Sequence, residues 1–178
     1  MQLVQLFLPV YDPTGKPFPR AMPVQMFQHL SDREVRDITA AMRAAPKAAN
    51  ATLQRSSMTP AGRRKLEDYN DDIGDPITVA APAEPPTSGL DLGRHLAMTS
   101  CTECHGTALD GFAGEDAPPL VVAKGYSLEQ FRKLMRTGIT AAGKESKTGL
   151  MSEVARGRFA PTLTDAEIDA LKAYLDSR

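Results

Sequence analysis

The chain has 178 residues, with 21 Lys and Arg against 22 Asp and Glu and a net charge of −1. That balance argues against nucleic acid as a partner, and no single-sign charge block suggests attachment to a membrane surface. The length suits one ordinary domain plus a fragment or linker, and no run approaches the roughly 20 apolar residues that span a bilayer.

The first residues do not read as a secretory signal. Leu3 to Val10 is apolar but short, interrupted by Gln5 and Pro9, with no basic residue before it and no A-x-A site after it. Further on, Leu30-Ser31-Asp32-Arg33-Glu34-Val35 returns as Leu163-Thr164-Asp165-Ala166-Glu167-Ile168. Both copies are capping boxes, with Ser31 or Thr164 as N-cap and Glu34 or Glu167 three residues later. Apolar residues then recur at helical spacing: Val35, Ile38 and Met42 in the first copy, Ile168, Leu171 and Leu175 in the second. A methionine expected in a loop precedes each helix, Met22 before Pro23 and Met151 after Leu150. Capping boxes are common, but the matched cap, register and upstream Met together favour a divergent duplication.

Residues 46–87 read as a connector. Pro46, Pro60, Pro76, Pro82, Pro85 and Pro86 punctuate it, which favours extended and turn structure. A short helix over Ala61 to Tyr69 is weakly supported. From Ser88 the pattern becomes helical: Leu90, Leu92, Leu96 and Ala97 lead into Cys101-Thr102-Glu103-Cys104-His105.

That C-x-x-C-H run holds the only two cysteines of the chain. It has the form of a c-type haem attachment site, in which two thiols about one helical turn apart hold the haem vinyl groups and the next residue supplies the proximal ligand. Three weaker readings stand beside it. A structural disulfide leaves the abutting histidine without a reason. A thioredoxin-like pair needs a preceding strand, and no strand-rich stretch precedes Gly89. A zinc site needs a further ligand from His29 or His95, neither at zinc-type spacing. A large, mostly apolar ligand would also supply core to a chain with few aromatics and no Trp.

Beyond the run, Ser127-Leu128-Glu129-Gln130 is a third capping box, followed by Phe131, Leu134 and Met135 on one face and Gly138 as C-cap. The Thr164 helix closes the chain. With Gly- and Pro-rich loops between and no strand signal, residues 88–178 read as an all-α domain.

Gly93, Cys101 to Gly106, Pro118-Pro119-Leu120, Met151 and the helix from Thr164 to Asp176 resemble the class I cytochrome c family, over about half of the chain. The run from Leu150 to Phe159 and the Leu-Thr-Asp helix are similar to proteobacterial mono- and dihaem cytochromes, some of them electron-transfer subunits of membrane-associated dehydrogenases. The resemblance implies a cytochrome c fold of roughly three to four helices around one covalent haem c, preceded by an extra helical segment and the Pro-rich connector. It implies Cys101, Cys104, His105, Pro118, Leu120 and Met151 as haem-binding residues, with His105 and Met151 on the iron. The Pro118 carbonyl would accept the His105 Nδ1 proton, Leu120 would pack on the proximal haem face, and Gly93 would meet Tyr174 where the first and last helices cross. Met151 has the reach of a Gly-rich loop, whereas Met98 belongs to the attachment helix and Met135 to a core face. Residues 15–45 resemble the tail of a preceding cytochrome domain, with Met22-Pro23 where an axial-ligand loop would be, so that 1–45 is expected to be a partial, haem-less segment.

The function implied is a monohaem electron carrier, not an enzyme, shuttling single electrons between redox proteins in the periplasm. A dehydrogenase, a terminal oxidase or another cytochrome would be the partner, and the chain would be the C-terminal part of a dihaem subunit. The missing export signal fits a piece of a longer exported protein. The competing reading, a haem enzyme or gas-binding protein with a displaceable sixth ligand, needs distal acid/base residues, and the chain has three histidines. Lys124, Lys144, Lys147, Arg156 and Arg158 fall in loops that could ring an exposed haem edge, intermixed with Asp110, Glu115, Asp116 and Glu153.

Overall fold

The computed structural model describes residues 24–46, 59–62, 64, 82–111 and 117–178, and no strand occurs among them. Leu3 to Val10, Met22-Pro23, residues 65–69 of the expected connector helix, and Glu115 and Asp116 lie outside the described residues. The chain divides into two compact units, Met1–Glu84 and Pro85–Arg178.

In the first unit a single turn, α1 (Val24–Phe27), precedes the helix α2 (Asp32–Ala44). Ser31 caps α2 as its sequence predicts. The Ser31 hydroxyl accepts from the Glu34 N–H at 3.2 Å, and the Glu34 carboxylate accepts from the Ser31 N–H at 2.7 Å. Two further N-terminal donors of α2 find backbone partners in the connector, where Pro82 and Ala83 carbonyls accept from Asp32 and Arg33 at 3.0 and 3.2 Å. The expected apolar face is only partly used: Val35 and Thr39 are buried, while Ile38 is 36% and Met42 51% exposed. Around Thr59, residues 60–62 and 64 are helical, and the Thr59 hydroxyl accepts from the Gly62 N–H at 3.1 Å.

The second unit is built on the crossing of α3 (Gly89–Ser100) with the last helix. Between them run α4 (Thr102–His105), a 3-10 turn over Leu120–Gly125, α5 (Leu128–Thr137), α6 (Leu150–Val154), a π turn over Ala155–Phe159 and α7 (Ala160–Thr162). The last helix is α8 (Asp165–Ser177). The capping boxes of α5 and α8 are both formed. Gly138 ends α5 in the left-handed region (φ 74°), its N–H on the Leu134 carbonyl at 2.8 Å, an arrangement that costs glycine nothing.

Ile168, Leu171 and Leu175 of α8 pack with Ala97 and Met98 of α3 and with Phe131, Leu134 and Met135 of α5 in one core. Each fully buried side chain of this size contributes about 1.5–3 kcal/mol. Arg132 makes a bidentate pair with Asp169, and Arg136 donates to the carbonyls of Ala160 (2.9 Å) and Leu163 (2.6 Å) and to Asp165. Helix α5 is thereby tied to the start of α8. The Arg136 guanidinium holds the Asp165 carboxyl below its ordinary range.

Gly93 is the point of closest approach. A Cβ placed there would overlap the Ala170 carbonyl oxygen and lie 2.6 Å from its carbon and 2.7 Å from Tyr174 Cβ. Helix propensity alone makes Gly93→Ala stabilising by about 1 kcal/mol. The obstacle is backbone, which cannot rotate aside, so the crossing must open. We expect Gly93→Ala to destabilise the domain by at least about 1–3 kcal/mol, read as a lower guanidinium midpoint. A raised midpoint would show that the crossing has slack.

Candidate haem-attachment site

The C-x-x-C-H run sits where α3 passes into α4. Cys101 is the hinge between them (φ −107°, ψ −23°), yet helical hydrogen bonding carries through it. The Cys101 N–H donates to Ala97 at 2.9 Å, the His105 N–H to Cys101 at 2.9 Å and the Gly106 N–H to Thr102 at 3.0 Å. Thr102, buried inside the run, donates its hydroxyl to the Met98 carbonyl at 2.8 Å and pins the run to α3. Gly106 (φ 73°) then ends α4.

His105 is 9% exposed, and its Nδ1 stands 2.7 Å from the Pro118 carbonyl oxygen. A carbonyl only accepts, so Nδ1 carries the proton and Nε2 keeps its lone pair. Burial pulls the His105 pKa below its ordinary 6.5, and the Pro118 bond opposes that without reversing it. A neutral imidazole with a free Nε2 is the form that binds a metal.

The Pro118 carbonyl is held from several sides. The Gly111 N–H donates to the His105 carbonyl at 2.8 Å, and the Leu120 N–H donates to Leu109 at 2.8 Å. Gly111 is left-handed (φ 74°), and a Cβ there would lie 3.1 Å from the Pro118 carbonyl carbon and 3.2 Å from Pro119 N. Leu109 is the single described non-glycine residue with positive φ (59°), and it is 1% exposed. Its burial in the core is the packing that holds a conformation side chains ordinarily avoid.

Neither Cys101 nor Cys104 is in a disulfide; Cys101 is half-buried and Cys104 exposed. Burial, then the neighbouring Cys104, push the Cys101 thiol up to about 12, against a smaller opposing pull from Arg158. A thiol so disfavoured as thiolate does not suit a redox pair. Among the described residues no three His, Cys, Asp or Glu side chains gather to hold a metal ion.

Cys101, Leu120 and Met151 are all partly buried against the same core, with Leu96, Tyr126 and Val154. Half-covered apolar side chains of this kind and a neutral imidazole are the groups that a porphyrin, mostly apolar surface, would require. Met151 differs from expectation in one respect: it belongs to α6, the short helix that begins after Gly149 (φ 80°), not to a loop. Leu150 to Ala155 are adequate helix formers, and the left-handed glycine turns the chain sharply enough for a helix to start. Met98 and Met135 are buried in the core and His95 is half-buried.

Of the basic residues expected near the site, two are engaged elsewhere. Lys124 donates to the Arg178 carbonyl, and Arg156 pairs with Glu145 at 2.7 Å. Arg158 is close enough to act on Cys101. The roles of Thr102, Leu109 and Gly111 were not legible in the sequence, since each acts through backbone geometry.

The chain matches the Cytochrome c family over residues 90–178, half of its length, and belongs to that family. It is therefore a haem c-type electron-transfer protein with an all-α fold. No curated protein matches the chain. No described helix is long and apolar enough to cross a membrane.

The neutral His105 predicts a sign for the pH dependence of stability. With its folded pKa below 6.5, the folded state binds fewer protons than the unfolded one. Its contribution is whole above about pH 6.5 and is lost as pH falls through that value towards the lowered one. Guanidinium midpoints of the haem-free chain, in which His105 Nε2 is not on iron, should fall as pH is lowered from about 7.5 to about 5.5. A midpoint that rises over that interval would mean that the folded imidazole holds the extra proton.

Proposed function

We propose that this chain is a monohaem c-type cytochrome that passes single electrons between redox proteins in the periplasm. The observation that carries the reading is the His105 Nδ1 contact with the Pro118 carbonyl, directly after two cysteines that form no disulfide on one helical run. In this reading Cys101 and Cys104 would hold the haem as thioethers and His105 Nε2 its iron. Met151 would supply the iron's other protein ligand, with Pro118 and Leu120 standing beside His105. Bound haem supplies the one-electron Fe(II)/Fe(III) couple.

The protein's part is orientation and tuning. Pro118 keeps the imidazole in one tautomer and makes it a better donor, which favours Fe(III). Met151 opposes that, because a soft thioether favours Fe(II) and raises the potential. Leu96, Leu120, Tyr126 and Val154, packed on the core, keep water from the centre. A dehydrogenase, a terminal oxidase or another cytochrome would be its redox partner. The chain would then be the C-terminal part of a dihaem subunit, with 1–45 a haem-less segment, 46–87 a connector and 88–178 the haem domain.

Expressed in an exporting host with a haem-ligation system, the full chain and the fragment 88–178 should each keep one haem through acid–acetone extraction. A bare mass for the full chain would refute attachment. A bare mass for the fragment alone would refute the domain boundary.

Met151→Ala should abolish the long-wavelength Fe(III)–S absorption and lower the reduction potential. Met135→Ala should keep that absorption and cost about 2–5 kcal/mol of stability, as for a buried methionine. The opposite pattern would move the axial ligand to another residue.

A further inference from the structure

Met151 is followed directly by the most tightly held side chain of its segment. Ser152 is 0% exposed. Its hydroxyl donates to the Gly138 carbonyl at 2.6 Å and accepts from the Ser146 N–H at 2.9 Å. Its own N–H reaches the Ser146 hydroxyl at 3.3 Å. Gly138 lies so close that a Cβ on it would stand 2.9 Å from Ser152 Cα. One residue thus joins α6, the C-cap of α5 and the loop carrying Ser146. At the far end of the same run, Arg136 of α5 holds the carbonyls of Ala160 and Leu163. Helix α5 grips the run at both ends, and the grip next to Met151 is Ser152.

We propose that Ser152 is a positioning residue that sets how long Met151 stays on the iron. The proposal rests on the reading of Met151 as axial ligand. A methionine side chain has three rotatable bonds and little conformational preference of its own, so the backbone that carries it must limit its excursions. The Ser152 hydroxyl supplies that limit. Moving α6 away from α5 leaves the Gly138 carbonyl and the Ser146 N–H without their partner, a loss that raises the barrier to releasing the sulfur. At equilibrium the coupling is reciprocal: contacts that favour the state with the sulfur on the iron are themselves weakened when the sulfur is released.

The test is imidazole replacement of the methionine in the ferric haem-bound protein. At saturating imidazole the rate reaches the rate of Fe–S opening. Ser152→Ala should raise that limiting rate about tenfold. Ser146→Ala should raise it less, because the Ser152 bond to Gly138 survives. Ile168→Val, which opens a small cavity in the core under α8, controls for general loosening and should leave the rate near wild type. A Ser152→Ala rate that is unchanged, or raised no more than in Ile168→Val, would overturn the proposal.

Loss of the Fe–S absorption in Met151→Ala keeps the ligand reading intact, so a negative Ser152 result then counts against positioning alone. If the absorption survives in Met151→Ala, the ligand reading has failed and the proposal goes with it. Should Ser152→Ala not retain haem, wild-type protein carries the test. Saturating imidazole should speed hydrogen exchange of the Ser146 amide several-fold and leave the Phe131 amide of α5 unchanged. Equal Ser146 exchange with and without imidazole would overturn the proposal.

Discussion

The crossing of α3 and α8 at Gly93 sets the frame on which the attachment site depends. Because no Cβ intervenes, the two backbones meet at Ala170 and the helices close on a shared core. The C-terminal end of α3 then has a fixed place, and the C-x-x-C-H run is simply its continuation through the Cys101 hinge. A bulkier residue at Gly93 would act on the site only through this lever, by tilting the helix whose far end carries the thiols. The buried Thr102 hydroxyl on Met98 adds a second constraint, since it stops the run from rotating about the hinge.

From His105 the constraint passes into the loop. The imidazole contacts Pro118, the His105 carbonyl receives Gly111, and Leu120 returns to Leu109. Each bond alone contributes about 0.5–1.5 kcal/mol, but the closed circuit makes them interdependent. The left-handed Leu109 costs energy that its burial offsets. Strain is therefore kept within the loop that orients the imidazole, where a small displacement of one carbonyl would change the electronic character of the ring.

The elements legible in the sequence were those with a local chemical signature. Three capping boxes formed at Ser31, Ser127 and Thr164 because side chain and backbone satisfy each other within four residues. The C-x-x-C-H run and the Gly138 cap were legible for similar reasons of spacing. The Pro118 carbonyl and the Gly93 crossing were expected from the resemblance to cytochromes c. What escaped depends on partners distant in sequence. Nothing around Ser152 announces that Gly138 and Ser146 will enclose it. The helical state of Met151 escaped as well, because Gly143, Gly149 and Gly157 dilute the periodicity on both sides of α6 and the π turn shifts its register.

The repeated helices show most plainly where a sequence pattern stops determining burial. By their shared caps, Val35, Ile38, Thr39 and Met42 of α2 stand at the register positions of Ile168, Leu171, Lys172 and Leu175 of α8. All four are buried in α8, where Lys172 lays its stem along the helix and pairs with Asp176. In α2 only Val35 and Thr39 are buried, and the stripe of Ile38 and Met42 is exposed. The missing stripe is the one that in α8 faces the haem-domain core through Leu171 and Leu175. Cap and periodicity thus specify the helix and its amphipathic face equally in both copies. Burial of that face needs a second surface of matching shape, and α8 has one because α3 approaches it at a glycine. An apolar stripe is a demand for a partner, and the residues that meet the demand lie elsewhere in the chain.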